Sequence, residues 1–396
     1  MKNFIKKLIT VSLGFAIVLC TSLTLTACKD DTTPPQADAS NQIVALSVNP
    51  SIEFIIDNNN KVVSVSASNE DGMYILEKFS SFSGMSVQEA ALKFLELSEE
   101  YGFTVSGSAT DENFTISISG DNAESLYSSI RSSVDSKLSE LGITLLSLEK
   151  IDKSKLQDMV AEYYQELSSI EVATITESEL IDLIKTSREE TKDLATEDER
   201  LSYYRERAQK LVLSKVESIL TFIEENPTLI PTTLQSYISS LTNRYNELTQ
   251  LYTDLNNQIE TLYSTETTGI DALLEEYITA KNAYFDAFEA YKTALETNAD
   301  NIADLKTTMD SLKSTADTLK DSLENARESA KSQFDSLMTS SKIHAKISLL
   351  NTEIDFILQH LPLSLETINS TIQNELNNLK QQHKNAAQNP WESQVA

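Results

Sequence analysis

Hydrophobic positions between residues 43 and 65 fall into three short β-rich segments. They occupy residues 43–48, 52–56 and 62–65, and the run Asp57-Asn58-Asn59-Asn60 separates the second from the third. Turn formers between two β-rich segments are typical of a hairpin. Pro50 interrupts the pattern between the first two segments. We therefore predict three consecutive strands here.

Residues 86–150 mix helical and strand periodicity. Helical spacing over residues 86–101 predicts a helix that Gly102 ends, and residues 121–141 predict a second helix. Between them, residues 114–118 alternate apolar and polar side chains as a half-buried strand does, and residues 143–148 form a last β-rich run. The order strand, strand, strand, helix, strand, helix, strand predicts an α+β domain over residues 43–150.

From residue 151 onwards the pattern is helical, and only one of the eight glycines, Gly269, lies in this part. Thr176 and Thr196 each precede a glutamate by three residues, which predicts a capping box at each helix start. Two stretches carry heptad spacing: Leu241, Tyr245, Leu248, Tyr252, Leu255, Ile259 and Leu262, then Ile302, Leu305, Met309, Leu312, Ala316, Leu319, Leu323, Ala326 and Ala330. We predict an all-α helical bundle or antiparallel coiled coil over residues 151–380.

The heptads leave open how the helices pair. Residues 264–269 and 297–300 are short enough to return the chain antiparallel, so we favour packing within one chain. Self-association between chains through the same coiled coil is the alternative. Residues 381–396 are polar apart from Trp391 near their end, and we predict a disordered tail.

The first 28 residues have the organisation of a lipoprotein signal peptide. Lys2, Lys6 and Lys7 precede a charge-free apolar run, which ends in Leu25-Thr26-Ala27-Cys28. The run is close to the length of a membrane-spanning helix, which is the alternative interpretation. The small residues before Cys28 and the polar residues after it favour processing. We predict a signal peptide over residues 1–27 and lipidation of Cys28, which anchors the chain on the extracytoplasmic face of the cell membrane.

Residues 28–42 are polar and contain Pro34-Pro35, which predicts a flexible tether after the lipid. Because Cys20 leaves with the signal peptide and Cys28 carries the lipid, no cysteine would remain for a disulfide, a thiolate metal site or catalysis. The histidines His344, His360 and His383 lack the close spacing of a zinc pair. We predict no metal and no cofactor.

The net charge of the chain limits the classes of molecule that it is expected to bind. Its formal net charge is −28, and removal of residues 1–27, which hold three lysines and no acid, would bring it to −31. Such a surface disfavours nucleic acid, which is bound through Lys and Arg contacts to phosphate, and it disfavours an anionic lipid surface. The carboxylates Glu53, Asp57, Asp71 and Asp111 are candidates for an acid pair or a cation site. We interpret them as turn and surface acids.

One stretch of the first domain carries a family resemblance. The segment Val48-Asn49-Pro50-Ser51-Ile52-Glu53-Phe54, the strand at 62–65 and an expected turn at Asn69-Glu70-Asp71-Gly72 resemble the extracytoplasmic middle domain of RsgI-type anti-sigma factors. The resemblance covers residues 43–150, and the two predicted helices fit the later part of that family's domain. Ser47 departs from the family pattern, because the family usually has Asp at this position.

The resemblance implies self-cleavage between Asn49 and Pro50. Proline has no N–H, so the usual attack of the next amide on the asparagine side chain is blocked, and the Asn49 side-chain nitrogen can attack its own carbonyl instead. The alternative is structural: Pro50 bends an edge strand and Asn49 caps the turn. Apart from this reaction we expect no enzyme activity, since no Gly-rich phosphate loop, nucleophile elbow or His-Glu-x-x-His motif occurs.

Together, these features predict a cell-surface protein with a sensing or accessory role. The family's cytoplasmic sigma-binding domain and internal membrane helix have no counterpart in the sequence, so we do not expect the chain to bind a sigma factor directly. We expect the RsgI-like domain to act as a sensing or interaction accessory, with a protein or extracellular ligand bound on the helical region. The alternative is a structural spacer or adhesin-like lipoprotein with a coiled-coil stalk.

Overall fold

The computed structural model describes residues 41–79, 81–105, 113–194, 196–263, 269–387 and residue 391. The predicted signal peptide, Cys28, nearly all of the tether and residues 392–396 lie outside these ranges. The chain divides into two compact units, one ending at Lys192 and one starting at Asp193, with residues 100–102 grouped with the second. The predicted fold class, an α+β domain followed by an all-α region, is confirmed.

The first unit is built on a mixed sheet. Its strands are β1 (Gln42–Ser47), β2 (Ser51–Ile56), β3 (Val62–Ala67), β4 (Asn113–Ser119), β5 (Thr144–Leu145) and β6 (Glu149–Ile151). Their order is β3-β2-β1-β4-β5, and β6 also pairs with β4. The β1, β2, β3 and β4 pairings are antiparallel, whereas β5 and β6 lie parallel to β4. The strand β1 is therefore hydrogen-bonded on both sides.

In the described part of the first unit, six helices accompany the sheet. They are α1 (Glu70–Lys78), α2 (Val87–Glu100), α3 (Ala123–Leu141), α4 (Lys153–Tyr163), α5 (Ser169–Ala173) and α6 (Glu177–Glu190). Because side chains alternate across a strand, Ile52 and Phe54 point to one face, where the Phe54 ring lies 5.3 Å from that of Phe82. Ile43 points to the other face and joins a core formed mainly by α4–α6.

Three details differ from the sequence-based expectation. Residues 69–72 are the start of α1 rather than a turn, and the strand expected at 143–148 is replaced by the two short strands β5 and β6. The helices α4–α6, which we assigned to the helical region, pack on Ile43 and belong to the first unit. That unit therefore extends to Lys192, beyond the expected boundary at residue 150.

The second unit contains only helices within its described residues. The α-helices are α7 (Glu197–Glu225), α8 (Gln235–Leu262), α9 (Ile270–Thr297), α10 (Ile302–Ser341), α11 (Ile343–Leu358) and α12 (Leu365–Ala386), and two 3₁₀ helices, Pro227–Leu229 and Thr232–Leu234, lie between α7 and α8. Both predicted capping boxes, at Thr176 and Thr196, are confirmed. The helix pairs α9–α10, α7–α12 and α8–α11 pack most extensively. From α10, Arg327 forms an ion pair of 2.5 Å with Asp198 on α7.

The expected disordered tail is partly helical. The helix α12 continues to Ala386 because its last turns have partners on the same unit. His383 Nε2 lies 3.3 Å from a Glu206 carboxylate oxygen, and Lys384 Nζ lies 2.9 Å from Asp193. Trp391 is also buried, with 6% of its surface exposed. Polar composition alone therefore misplaced the end of the helix.

Candidate functional site at the turn between strands β1 and β2

The turn Val48-Asn49-Pro50 joins β1 to β2 at one end of the sheet. Asn49 has φ +58°, in the left-handed region that asparagine adopts more readily than most residues. The Val48 N–H donates to the Pro50 carbonyl oxygen at 2.9 Å, which closes the turn. Pro50 is buried and Asn49 is half-buried. In the alternative interpretation of the sequence, Pro50 bends an edge strand. In the structure, Pro50 lies in a turn between two interior strands.

Asn69 holds Ser51, the first residue after this turn. Its side-chain oxygen Oδ1 accepts the Ser51 N–H at 3.1 Å and the Gly72 N–H at 2.8 Å. The second bond makes Asn69 the N-cap of α1. The Ser51 carbonyl oxygen also accepts the Ser68 N–H, at 2.9 Å. Both backbone groups of Ser51 are thus bonded to the segment at the start of α1.

Gly72 permits the close approach of α1 to β2. A Cβ atom added to Gly72 would lie 2.0 Å from the Ser51 carbonyl oxygen, far inside van der Waals contact. Gly72 is therefore required by the lack of space and not by an unusual backbone conformation. This explains physically why a glycine stands at the fourth position of Asn69-Glu70-Asp71-Gly72.

Ser47, which departs from the family pattern, lies directly across from Ser51 in the β1–β2 ladder. Their hydroxyl oxygens are 2.6 Å apart, so one donates to the other. A hydroxyl pair thus occupies the place where the resemblance leads us to expect a carboxylate next to the turn.

Glu53, which lies within the resembling segment, forms a buried ion pair with Arg188 of α6. The distance between Arg188 Nη2 and Glu53 Oε1 is 2.8 Å, and the two side chains are 11% and 7% exposed. Arg188 also donates to the Ser66 hydroxyl on β3 and, at 3.1 Å, to the Tyr163 hydroxyl on α4. Burial raises the pKa of Glu53, and Arg188 opposes that rise by stabilising the charged carboxylate.

The four candidate carboxylates do not come together in one cluster. Asp57 lies in the β2–β3 turn, where the Lys61 N–H lowers its pKa, as expected of a turn acid. Glu53 and Asp71 are buried, with 6% and 1% exposure, so their interpretation as surface or turn acids is wrong. Asp111 lies outside the described residues.

Two negative findings apply to the described ranges. No three His, Cys, Asp or Glu side chains within them come together as a metal ion would require. None of their helices is both long enough and apolar enough to cross a membrane. Cys28 lies outside these ranges, so its predicted lipidation stays a prediction.

Comparison with protein families agrees with the geometry. Residues 41–178 match the family model of the anti-sigma factor RsgI-like central domain. A comparison with curated proteins found no match. The matched segment includes the β1–β2 turn, Asn69 and Gly72, and it ends inside α6, ten residues before Arg188. The family resemblance of the first unit is thereby confirmed, and the matched domain points to a regulatory, sigma-factor-related family.

Proposed function

Starting from the RsgI-like central domain at residues 41–178, we propose that this protein is a lipid-anchored sensing accessory on the extracytoplasmic face of the membrane. Its first unit would connect the lipid on Cys28 to the helical region. Cleavage of one peptide bond in this unit would allow the two parts to separate when the sheet opens. The observation that carries the proposal is the position of the Asn49–Pro50 bond. It lies directly after β1, the strand that would lead to the anchor and that is paired on both sides.

The bond can break without water or a cofactor. The Asn49 side-chain nitrogen attacks the Asn49 carbonyl carbon and forms a five-membered succinimide, while the carbon–nitrogen bond to Pro50 breaks. One proton moves from the attacking nitrogen to the Pro50 nitrogen, which leaves as a secondary amine. The masses of the two fragments therefore add up to the mass of the parent chain.

The sheet would keep the fragments together after such a break. Strand β1 has six residue pairs with β2 and four with β4, whereas the fragment beginning at Pro50 contains both neighbours. The anchor and the helical region would separate only when these ladders open. Sensing would then consist of any event on the helical region, such as binding of a protein or an extracellular ligand, that opens or protects the sheet.

Self-cleavage is tested by the mass of residues 29–396 under denaturing conditions. We expect the parent chain to give two fragments that meet at the Asn49–Pro50 bond, and an Asn49→Gly chain to stay intact. Glycine retains the left-handed backbone of Asn49 but has no side-chain nitrogen. Asn60→Gly is the matched control, because Asn60 has φ +56° in the next turn and is followed by lysine. An intact parent chain would refute the proposed self-cleavage and, with it, the proposed separation of the anchor from the helical region.

The helical region also favours a second candidate, a structural spacer. The 40 residues of α10 span about 60 Å at the rise of an α-helix, and α9 packs along them. A spacer needs neither a break at Asn49 nor a ligand. The mass measurement therefore separates the two candidates.

A further inference from the structure

We infer that Asn69 is a positioning residue for the Asn49–Pro50 bond, an inference that rests on the proposed self-cleavage. A single oxygen, Asn69 Oδ1, accepts N–H groups from two elements, Ser51 at the start of β2 and Gly72 in the first turn of α1. A helix cap requires only the second of these bonds. The first one reaches the residue immediately after Pro50, the leaving group of the proposed reaction.

Succinimide closure depends on geometry. The attacking nitrogen and the carbonyl carbon belong to the same residue, so the rate depends on how often the chain holds them in a near-attack arrangement. On the carbonyl side, Asn49 is held at φ +58°. On the leaving side, the proline ring fixes φ of Pro50, and the Val48 N–H binds its carbonyl oxygen. The next rotatable position is Ser51.

Asn69 fixes that position. The Ser51 N–H donates to Asn69 Oδ1, and the Ser51 carbonyl oxygen accepts the Ser68 N–H. Gly72 leaves no free space beside this carbonyl oxygen. Because the start of α1 holds Ser51 on these sides, loss of the Asn69–Ser51 bond would let Pro50 and Ser51 turn together. The near-attack arrangement would become rarer while the strands remain paired.

Substitutions at residue 69 can distinguish the effects of the two hydrogen bonds that Asn69 Oδ1 accepts. Asn69→Ser retains a good N-cap for α1, but its side chain is one bond shorter than that of asparagine and does not reach the Ser51 N–H. Asn69→Asp retains an acceptor oxygen at the same reach and is also a good N-cap. Ser168→Ala removes an unrelated cap, that of α5, and controls for a general loss of stability.

The test is a time course of cleavage after cell-free synthesis of residues 29–396, read as the fraction of intact chain in denaturing gels. We expect Asn69→Ser to cleave at least about tenfold more slowly than the parent chain, which corresponds to about 1.4 kcal/mol in the barrier. Asn69→Asp and Ser168→Ala should both cleave within about threefold of the parent rate, a loss of under about 1 kcal/mol.

Each of the other possible outcomes overturns a specific part of the proposal. A parent chain that never cleaves overturns this inference together with the proposed function. A cleaving parent with Asn69→Ser at the parent rate overturns the role of Asn69 alone. Slow cleavage of Asn69→Asp would contradict an acceptor role for residue 69, and slow cleavage of Ser168→Ala would show that lost stability, rather than positioning, controls the rate.

Discussion

Replacing Arg188 by methionine is expected to destabilise the first unit by about 3–5 kcal/mol, the usual cost of removing one partner from a buried ion pair. The variant leaves Glu53, with 6% exposure, without the guanidinium that lies 2.8 Å away. It also removes the donor to Ser66 on β3 and to Tyr163 on α4. Hydrogen exchange of the β2 and β3 amides in the full chain measures the change locally.

A double substitution tests whether the uncompensated charge causes this loss. With Glu53→Met added, no buried carboxylate remains at this position, and we expect much of the stability to return. Lack of recovery would show that Arg188 acts mainly through Ser66 and Tyr163. Protection in the Arg188→Met variant equal to that of the parent would contradict the ion pair itself.

The same variant should change how stability depends on pH. Burial already raises the pKa of Glu53 above its ordinary 4.5, so the folded unit binds this proton more tightly than the unfolded chain does. For a raised acid pKa, the stabilising contribution is fully present below the unfolded value and is lost as pH rises through the folded value. Without Arg188 the pKa rises further, so the loss in the variant should be smallest below pH 4.5 and increase at higher pH.

Gly72→Ala is the second substitution with a large expected effect, about 3 kcal/mol or more. In most helices this change stabilises by up to about 1 kcal/mol, because alanine is the better helix former. Here the added methyl group would lie 2.0 Å from the Ser51 carbonyl oxygen, so α1 must move away from β2. The displaced helix also pulls Asn69 from Ser51.

A second glycine supplies the control for Gly72. Gly84 has φ +84° and no atom within 4 Å of an added Cβ. Gly84→Ala should therefore cost only the left-handed backbone, about 1–2 kcal/mol. Denaturant unfolding of the two variants compares the free-energy cost of the steric clash at Gly72 with the cost of backbone strain at Gly84. A Gly72→Ala chain as stable as the parent would show that α1 does not approach Ser51 so closely.

Sequence periodicity predicted the local elements of the first unit well, because strand alternation and helical spacing depend on near neighbours. It missed α1 because Asn69-Glu70-Asp71-Gly72 has the composition of a turn. In the structure, the same residues form an N-cap and a helical first turn pressed against Ser51. The glycine that suggests a turn is required by a contact with a strand 21 residues earlier.

Long-range features were beyond sequence reasoning. Glu53 and Arg188 are 135 positions apart, and nothing in either local pattern indicates that the two charges are buried together. Helical spacing likewise predicted helices between residues 151 and 192 without showing which core they cover. The side of the sheet that carries Ile43 decides that, and it joins α4–α6 to the first unit.

We propose that the anchored and sensing parts are separate chains held together by a sheet. This proposal is tested by producing the full-length protein with a C-terminal tag in bacteria fed labelled palmitate, and washing the membranes with buffer and then with denaturant. We predict that the tagged chain stays on the membrane in buffer and leaves in denaturant as a fragment beginning at Pro50. The palmitate label should remain behind on a short fragment and be lost in Cys28→Ser. A tagged chain that carries the label and remains on the membrane in denaturant, as expected for Asn49→Gly, would contradict the account.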